Sequence, residues 1–199
     1  MDSLEAIREQ VRTCTDCPLS QTRTQAVPGE GPPNADVVLI GEGPGHHEDQ
    51  QGTPFVGPAG KFLDNLLASA GFRRGDVFIT NMVKCRPPGN RDPLPNETDA
   101  CSKYLDRQLE LIKPKLVVTL GRFSLKKFFP NETISRARGK PRRQEEFTVL
   151  PMFHPAAALH RNQFREIVEE DFRAMPEILK ETISRIEPSS PPPEQLSML

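Results

Sequence analysis

At 199 residues, 36% of them apolar and 27% charged, the chain is long enough for one domain with a full hydrophobic core. Its formal net charge of −1 means that a polyanion would have to be met by local basic patches rather than by overall charge. No apolar run approaches the roughly 18 residues of a membrane span. The opening MDSLEAIREQVRT has acidic residues and no apolar h-region, so an intracellular, cytoplasmic protein is expected rather than a secreted one.

Leu4, Ile7 and Val11 fall at helical spacing and predict a short amphipathic helix over 4–13. Cys14-Thr-Asp-Cys17-Pro18 ends it, and the polar, Gly- and Pro-rich residues 20–35 read as loop. The apolar, β-branched run Val37-Val38-Leu39-Ile40 predicts a buried first strand over 36–40. Gly41-Glu42-Gly43-Pro44-Gly45 breaks that strand. Three glycines there let backbone approach a ligand closely, because no Cβ intervenes. The polar stretch His46-His47-Glu48-Asp49 follows, then Phe55 between Pro54 and Val56, then Gly57-Pro58-Ala59-Gly60. An aromatic ring held in such a loop just beyond a strand end is placed to stack on a flat group. A helix over 59–71 stops at Gly71.

The second strand, Val77 to Thr80, ends in Asn81, and a long loop runs on to Pro95. A helix over 96–112 has Asn96 as its expected N-cap, with Glu97 and Asp99 in the first turn. The third strand is Leu116–Leu120, after which Gly121-Arg122 opens a helix over 122–129. The basic segment 135–143, SRARGKPRR, reads as a mobile or hairpin loop. The fourth strand runs from Phe147 to Met152 and ends at Phe153-His154-Pro155; a last helix covers 162–184. From Pro188 on, the low-complexity sequence is expected to be disordered, giving one domain over 1–187 and a tail over 188–199.

Strands alternating with helices at this spacing predict an α/β fold, with a four-stranded parallel sheet between helix layers. Such sheets collect their sites at the carboxyl ends of the strands. The polar residues just beyond those ends are Glu42, Asn81, Arg122 and His154, and three of these four suit the reading of a small polar ring. A nucleotide-phosphate loop is a poor reading of Gly41–Gly45, since Pro44 removes an amide donor and acidic residues follow where the helix would start. Cys14 and Cys17 have CxxC spacing, with Cys85 and Cys101 downstream. Four cysteines, each beside a loop or helix end, suggest a four-thiolate site, and zinc and an iron–sulfur cluster both accept four thiolates. Each residue alone also has a commonplace reading. Phe55 could anchor a loop, Asn81 could form a turn, Glu42 could be a surface carboxylate and His154 could be structural.

Together these pieces resemble the family 4 uracil-DNA glycosylases, the iron–sulfur members of the uracil-DNA glycosylase superfamily. The matching segments are Gly41–Gly45, Glu48-Asp49, Gly52–Gly57, Ala59-Gly60, Asn81–Pro88, Asn90-Arg91 and His154-Pro155-Ala156, with the four cysteines in order. The resemblance runs from Cys14 to the last helix. It implies a three-layer α/β/α sandwich, a [4Fe–4S] cluster on Cys14, Cys17, Cys85 and Cys101, and hydrolysis of deoxyuridine in single- and double-stranded DNA to uracil and an abasic site, without a lyase step. Carried over, Phe55 stacks on the flipped uracil and Asn81 reads its Watson–Crick edge with an amide's adjacent donor and acceptor. His154 donates to O2 as charge develops there. Glu42 and the Gly43 backbone border the water and the sugar. Glu48 sits near C5 to exclude thymine, with Asn90 holding it.

Two departures stand out. The best-known uracil-DNA glycosylases have a catalytic Asp where this chain has Gly43, which favours a dissociative path that leans less on a base. A relative that traps DNA covalently does so through a histidine in a basic insertion after the second strand. The segment 85–93 has no histidine here, so no trapping is expected. DNA contact is expected from Arg138, Lys140 and Arg161, with Arg136, Arg142 and Arg143 nearby, and Leu159 is a candidate wedge. A monomer without membrane attachment is expected. Gln195-Leu-Ser-Met198 is similar to the start of a sliding-clamp-binding peptide but lacks its aromatic pair, so a plain tail is favoured. The competing readings are a non-catalytic, zinc-stabilised DNA-binding module and a glycosylase for another deaminated base.

Overall fold

A computed structural model describes residues 3–160 and 163–186. The strands are β1 (Val37–Gly41), β2 (Phe78–Asn81), β3 (Leu116–Leu120), β4 (Arg142–Arg143) and β5 (Thr148–Met152). Among the described residues they make one five-stranded sheet in the order β2-β1-β3-β5-β4. β2, β1, β3 and β5 are parallel. The expected four-stranded sheet therefore needs one correction: β4 adds an antiparallel edge through Arg142 opposite Val149 and Arg143 opposite Thr148. Two arginines on a short outer strand suit an edge, because charge blunts pairing with another chain.

Every residue of β1, β2, β3 and β5 is buried, as a sheet covered on both faces requires. Side chains alternate between two cores. Val37, Leu39, Val118, Leu120, Leu150 and Met152 face one. That core is covered by α3 (Pro58–Ser69), α7 (Pro155–His160) and α8 (Gln163–Ile186), which pack on one another. Val38, Ile40, Val117 and Val149 face the other, under α4 (Pro95–Ile112) and α5 (Arg122–Phe128). This is the expected α/β/α sandwich. A third, smaller core joins α1 (Leu4–Thr13) to α4 through Ile7, Val11, Leu19, Val83 and Tyr104.

Three short helices were not apparent from the sequence: α2 (His46–Gln51), α6 (Ile134–Ala137), inside the basic segment, and α7, directly after His154. α4 begins one residue earlier than expected. Pro95 occupies its first turn, and the Glu97 carboxylate accepts from the Leu94 amide at 2.8 Å, so Leu94 rather than Asn96 is the N-cap. The chain moves from β1 to β2 on one side and returns to β3 on the other. That reversal leaves a crevice at the carboxyl end of β1, where open α/β sheets bind their ligands.

Candidate active site

A cavity of about 590 Å³ opens at that crevice, and its walls include Glu42, Gly43, Glu48, Phe55, Asn81, Asn90 and His154. Seven residues scattered over more than a hundred positions thus meet in one place. Gly41 permits a close approach. A Cβ there would lie 2.3 Å from Asn81 Oδ1 and 2.7 Å from the Phe55 ring, so only glycine can end β1 between them.

Phe55 is 6% exposed and has φ of 51°. A left-handed backbone at a residue with a Cβ costs of order 1–2 kcal/mol and is kept only where its surroundings enforce it. Its ring lies 5.5 Å from that of His154, the planes 25° apart. The Glu48 carboxylate is part of the enforcement. One oxygen accepts from the amides of Val56 and Gly57, each at 2.9 Å, and the other from Gly45 at 3.1 Å. Glu48 therefore ties the glycine loop to the Phe55 loop. Asn90 does not hold Glu48, contrary to expectation. Its Oδ1 accepts from Arg86 Nε at 2.7 Å, and Arg86 also meets His46 Nδ1 at 3.2 Å.

Asn81 is the last residue of β2 and 2% exposed. Its Oδ1 has no hydrogen-bond partner among the described residues. Buried amide oxygens are almost always satisfied, so this acceptor stands out among the residues that line the cavity. His154 follows β5. Its Nδ1 accepts from the Ala156 amide at 3.1 Å, which assigns the ring proton to Nε2. Burial drives its pKa down to about 4, against a smaller opposing pull from Glu48. The imidazole is thus a neutral N–H donor at pH 7. Glu42 moves the other way. Burial, reinforced by Asp92 and opposed by Arg122, raises its carboxyl to about 7. Arg122, beyond β3, is itself paired to Asp92 at 2.5 Å.

The profile of the uracil DNA glycosylase superfamily matches residues 28–180. A type-4 uracil-DNA glycosylase from Sulfurisphaera tokodaii is 50% identical, the match covering 89% of this chain and 86% of the relative. One from Archaeoglobus fulgidus is 47% identical over 89% and 94% of the two chains. This chain belongs to the type-4 uracil-DNA glycosylases. A type-5 enzyme from Thermus thermophilus is 39% identical over only 50% of this chain and 52% of its own, a narrower likeness.

In this type-4 chain the four cysteines line one small cavity, Cys85 and Cys101 buried and Cys14 and Cys17 partly so. Positive and polar donors face their sulfurs. Arg23 Nη1 lies 3.0 Å from Cys85 Sγ, and the Lys84 amide donates to Cys101 Sγ at 3.3 Å. Such donors suit thiolates. Among the described residues no three Cys, His or carboxylate side chains stand ready around a single ion. Lys84, inside a segment that reads as loop, is wholly buried. Its ammonium donates to Thr80, to the Asn81 carbonyl at 2.9 Å and to Gln108 at 2.8 Å.

The basic candidates separate. Lys140 is exposed. Arg138 forms a two-pronged pair with the buried Asp171, at 2.6 and 3.0 Å. Arg161 and the 188–199 tail, with its clamp-like sequence, lie outside the described residues. Leu159 is 45% exposed on α7. Arg74, outside every sequence motif, reaches the carbonyls of Pro54 and Phe55. Nothing in its sequence neighbourhood, Arg73-Arg74-Gly75-Asp76, signals that reach.

Proposed function

We propose that this uracil-DNA glycosylase hydrolyses the N-glycosidic bond of deoxyuridine in single- and double-stranded DNA, with the cavity at the end of β1 as its base pocket. The observation that carries this reading is the unpartnered Asn81 Oδ1, buried beside Phe55 and His154 in one cavity. Uracil presents N3–H and O4 side by side. An amide supplies the matching acceptor and donor, and Phe55 supplies a stacking face.

When the C1′–N1 bond breaks, its electron pair passes to the base and spreads onto O2. The Nε2–H of a neutral His154 can donate there. A neutral donor gains most from charge that forms only in the transition state, which is how such a group lowers a barrier rather than merely binding substrate. Water adds to C1′ of the sugar cation, and its proton passes to a base or to solvent. Glu42, poised near neutrality, is the carboxylate in place to take it. Gly43 lines the wall with backbone alone. No histidine stands in 85–93 to attack the sugar, so the products are free uracil and an abasic site.

Cys14, Cys17, Cys85 and Cys101 would hold a [4Fe–4S] cluster. Their shared lining of one small cavity, with the Arg23 guanidinium and the Lys84 amide facing two of the sulfurs, supports this reading. Bound there, the cluster would cross-link the 14–17 turn to the segment 85–101. Lys140 and Arg161 are the candidates for phosphate contact, and Leu159 for the wedge left in the stack. Flipping costs a few kcal/mol of unstacking, least at a U·G mismatch.

The test is cleavage of a labelled single-stranded oligonucleotide with one uracil, followed by alkali, beside a thymine control. Strand breakage only at uracil, slowed about 10²-fold or more in Asn81→Ala and in His154→Ala, is the expected result. Wild-type rates in both variants would remove the pocket from the mechanism.

A further inference from the structure

Arg74 is 27% exposed at the side chain and lies in the turn between α3 and β2. A guanidinium has five N–H donors, and here all five are engaged. Nε and Nη2 reach Glu30 Oε1 at 2.9 and 2.7 Å. Nη1 reaches Asp64 Oδ1 at 2.9 Å and the Phe55 carbonyl at 3.2 Å, and Nη2 also reaches the Pro54 carbonyl at 2.5 Å. Two consecutive carbonyls are therefore fixed at the residue whose backbone is left-handed. Gly60 closes on the same carbonyl; a Cβ at Gly60 would lie 1.8 Å from Phe55 O. The Phe55 peptide is thus fixed by both contacts.

The far end of the clamp is equally rigid. Glu30 forms a bridge with Ile79 of β2, its amide donating to the Ile79 carbonyl at 3.0 Å and its carbonyl accepting from the Ile79 amide at 2.8 Å. Gly29 and Gly31 flank it at φ of 112° and 137°, and a Cβ on Gly31 would lie 2.4 Å from the Val77 carbonyl. The loop therefore lies flat on β2. Asn81 is two residues beyond Ile79 on that strand. A continuous path runs from Phe55 through Arg74, Glu30 and Ile79 to Asn81.

We propose that Arg74 is a positioning residue for base recognition, locking the Phe55 ring at a fixed spacing from Asn81 by clamping the Pro54 and Phe55 carbonyls to a loop bonded to β2. The inference rests on the reading of Phe55 as the stacking plate and Asn81 as the edge reader. A lysine cannot substitute, since one ammonium has three donors and no planar fork.

The experiment is a double-mutant cycle on kcat/KM with the uracil oligonucleotide, at a temperature where every variant is folded by circular dichroism. It uses Arg74→Ala, Arg74→Lys, Phe55→Ala and Arg74→Ala/Phe55→Ala. Inhibition by free uracil is measured on each. Arg74→Ala and Phe55→Ala should each lose about 10- to 100-fold, Arg74→Lys should recover little, and the double variant should be no worse than the poorer single one. The uracil inhibition constant should rise in Arg74→Ala as it does in Phe55→Ala. Losses that multiply in the double variant, or a lowered melting temperature with kcat/KM and uracil inhibition unchanged, would overturn the proposal. If Phe55→Ala alone kept wild-type kcat/KM, the stacking reading would fall, and the proposal with it. Should Arg74→Ala not fold, Glu30→Gln loosens the clamp without touching either carbonyl. A several-fold loss absent from the Phe55→Ala background supports the clamp, and wild-type kinetics overturn it.

Discussion

His154 and Glu42 face the same cavity with pKa values displaced in opposite directions, and this has a measurable consequence. His154 is lowered from its ordinary 6.5 to about 4, mainly by burial. Between those limits the unfolded chain binds a proton there that the folded chain does not, so stability from this group is full above pH 6.5 and is lost as pH falls toward 4. Glu42 is raised from 4.5 to about 7, again mainly by burial. There the folded chain holds the proton, and stability is lost as pH rises from 4.5 toward 7. Over pH 4.5–6.5 the two slopes oppose each other, each up to about 1.4 kcal/mol per pH unit. Relative to wild type, His154→Gln should therefore lose a rising contribution and Glu42→Gln a falling one. Urea midpoints between pH 4.5 and 6.5 should shift with pH in opposite senses for the two variants. Parallel pH profiles would show that neither group is perturbed as described. Much of this pocket was legible before the fold, because Glu42, Asn81 and His154 stand at strand ends and Phe55 lies in a Gly- and Pro-rich loop. Asn90's true partner was not. Arg86 and Asn90 are four residues apart in a loop, and no periodicity says which way loop side chains turn.

At the scale of elements, apolar strands and amphipathic helices announced themselves, and the misses have physical causes. The α2 sequence HHEDQQ is polar throughout, and Asp49 is its one buried residue, so it has no apolar stripe to detect. β4 is two arginines whose strand character comes only from pairing with β5. The same basic segment gives a prediction that separates its charges. Asp171 is almost fully buried, and burial raises its carboxyl despite the opposing pull of Arg138. Arg138→Ala would leave that carboxylate buried without its partner and should cost on the order of 1–3 kcal/mol of stability. DNA affinity measured on the folded fraction should change little. Lys140 is exposed, and Lys140→Ala should leave the urea midpoint alone while lowering the salt dependence of DNA binding by about one unit of slope. The reverse pattern would make Arg138 the phosphate contact and Lys140 the structural residue.

For the whole molecule, the decisive feature is that the chain has two main cores on the sheet and a third that does not touch it in the same way. Ile7, Val11 and Leu19 reach the rest of the protein through Val83, Cys85, Cys101 and Tyr104. That cluster is small, and Cys14 and Cys17 sit at its edge. A group bound by all four cysteines would cross-link α1 and the 14–17 turn to the 82–101 segment, which carries Asn90 and Arg91 at the pocket rim. The sheet core, with Leu39, Val118 and Leu150 wholly buried, needs no such link. If the four thiols hold the proposed [4Fe–4S] cluster, Cys101→Ala should lose its brown colour and absorbance near 400 nm, yet keep the sheet. Hydrogen exchange should quicken in residues 4–19 and 82–101 and stay slow in β1, β3 and β5, as expected when one cooperative unit opens below the global free energy. Cleavage of uracil DNA should fall because the rim loses its support, not because a chemical group is gone. Uniform acceleration of exchange through the sheet would mean that the four thiols hold the entire fold. Unchanged exchange everywhere, with the colour lost, would mean that the cross-link contributes nothing to the position of the rim.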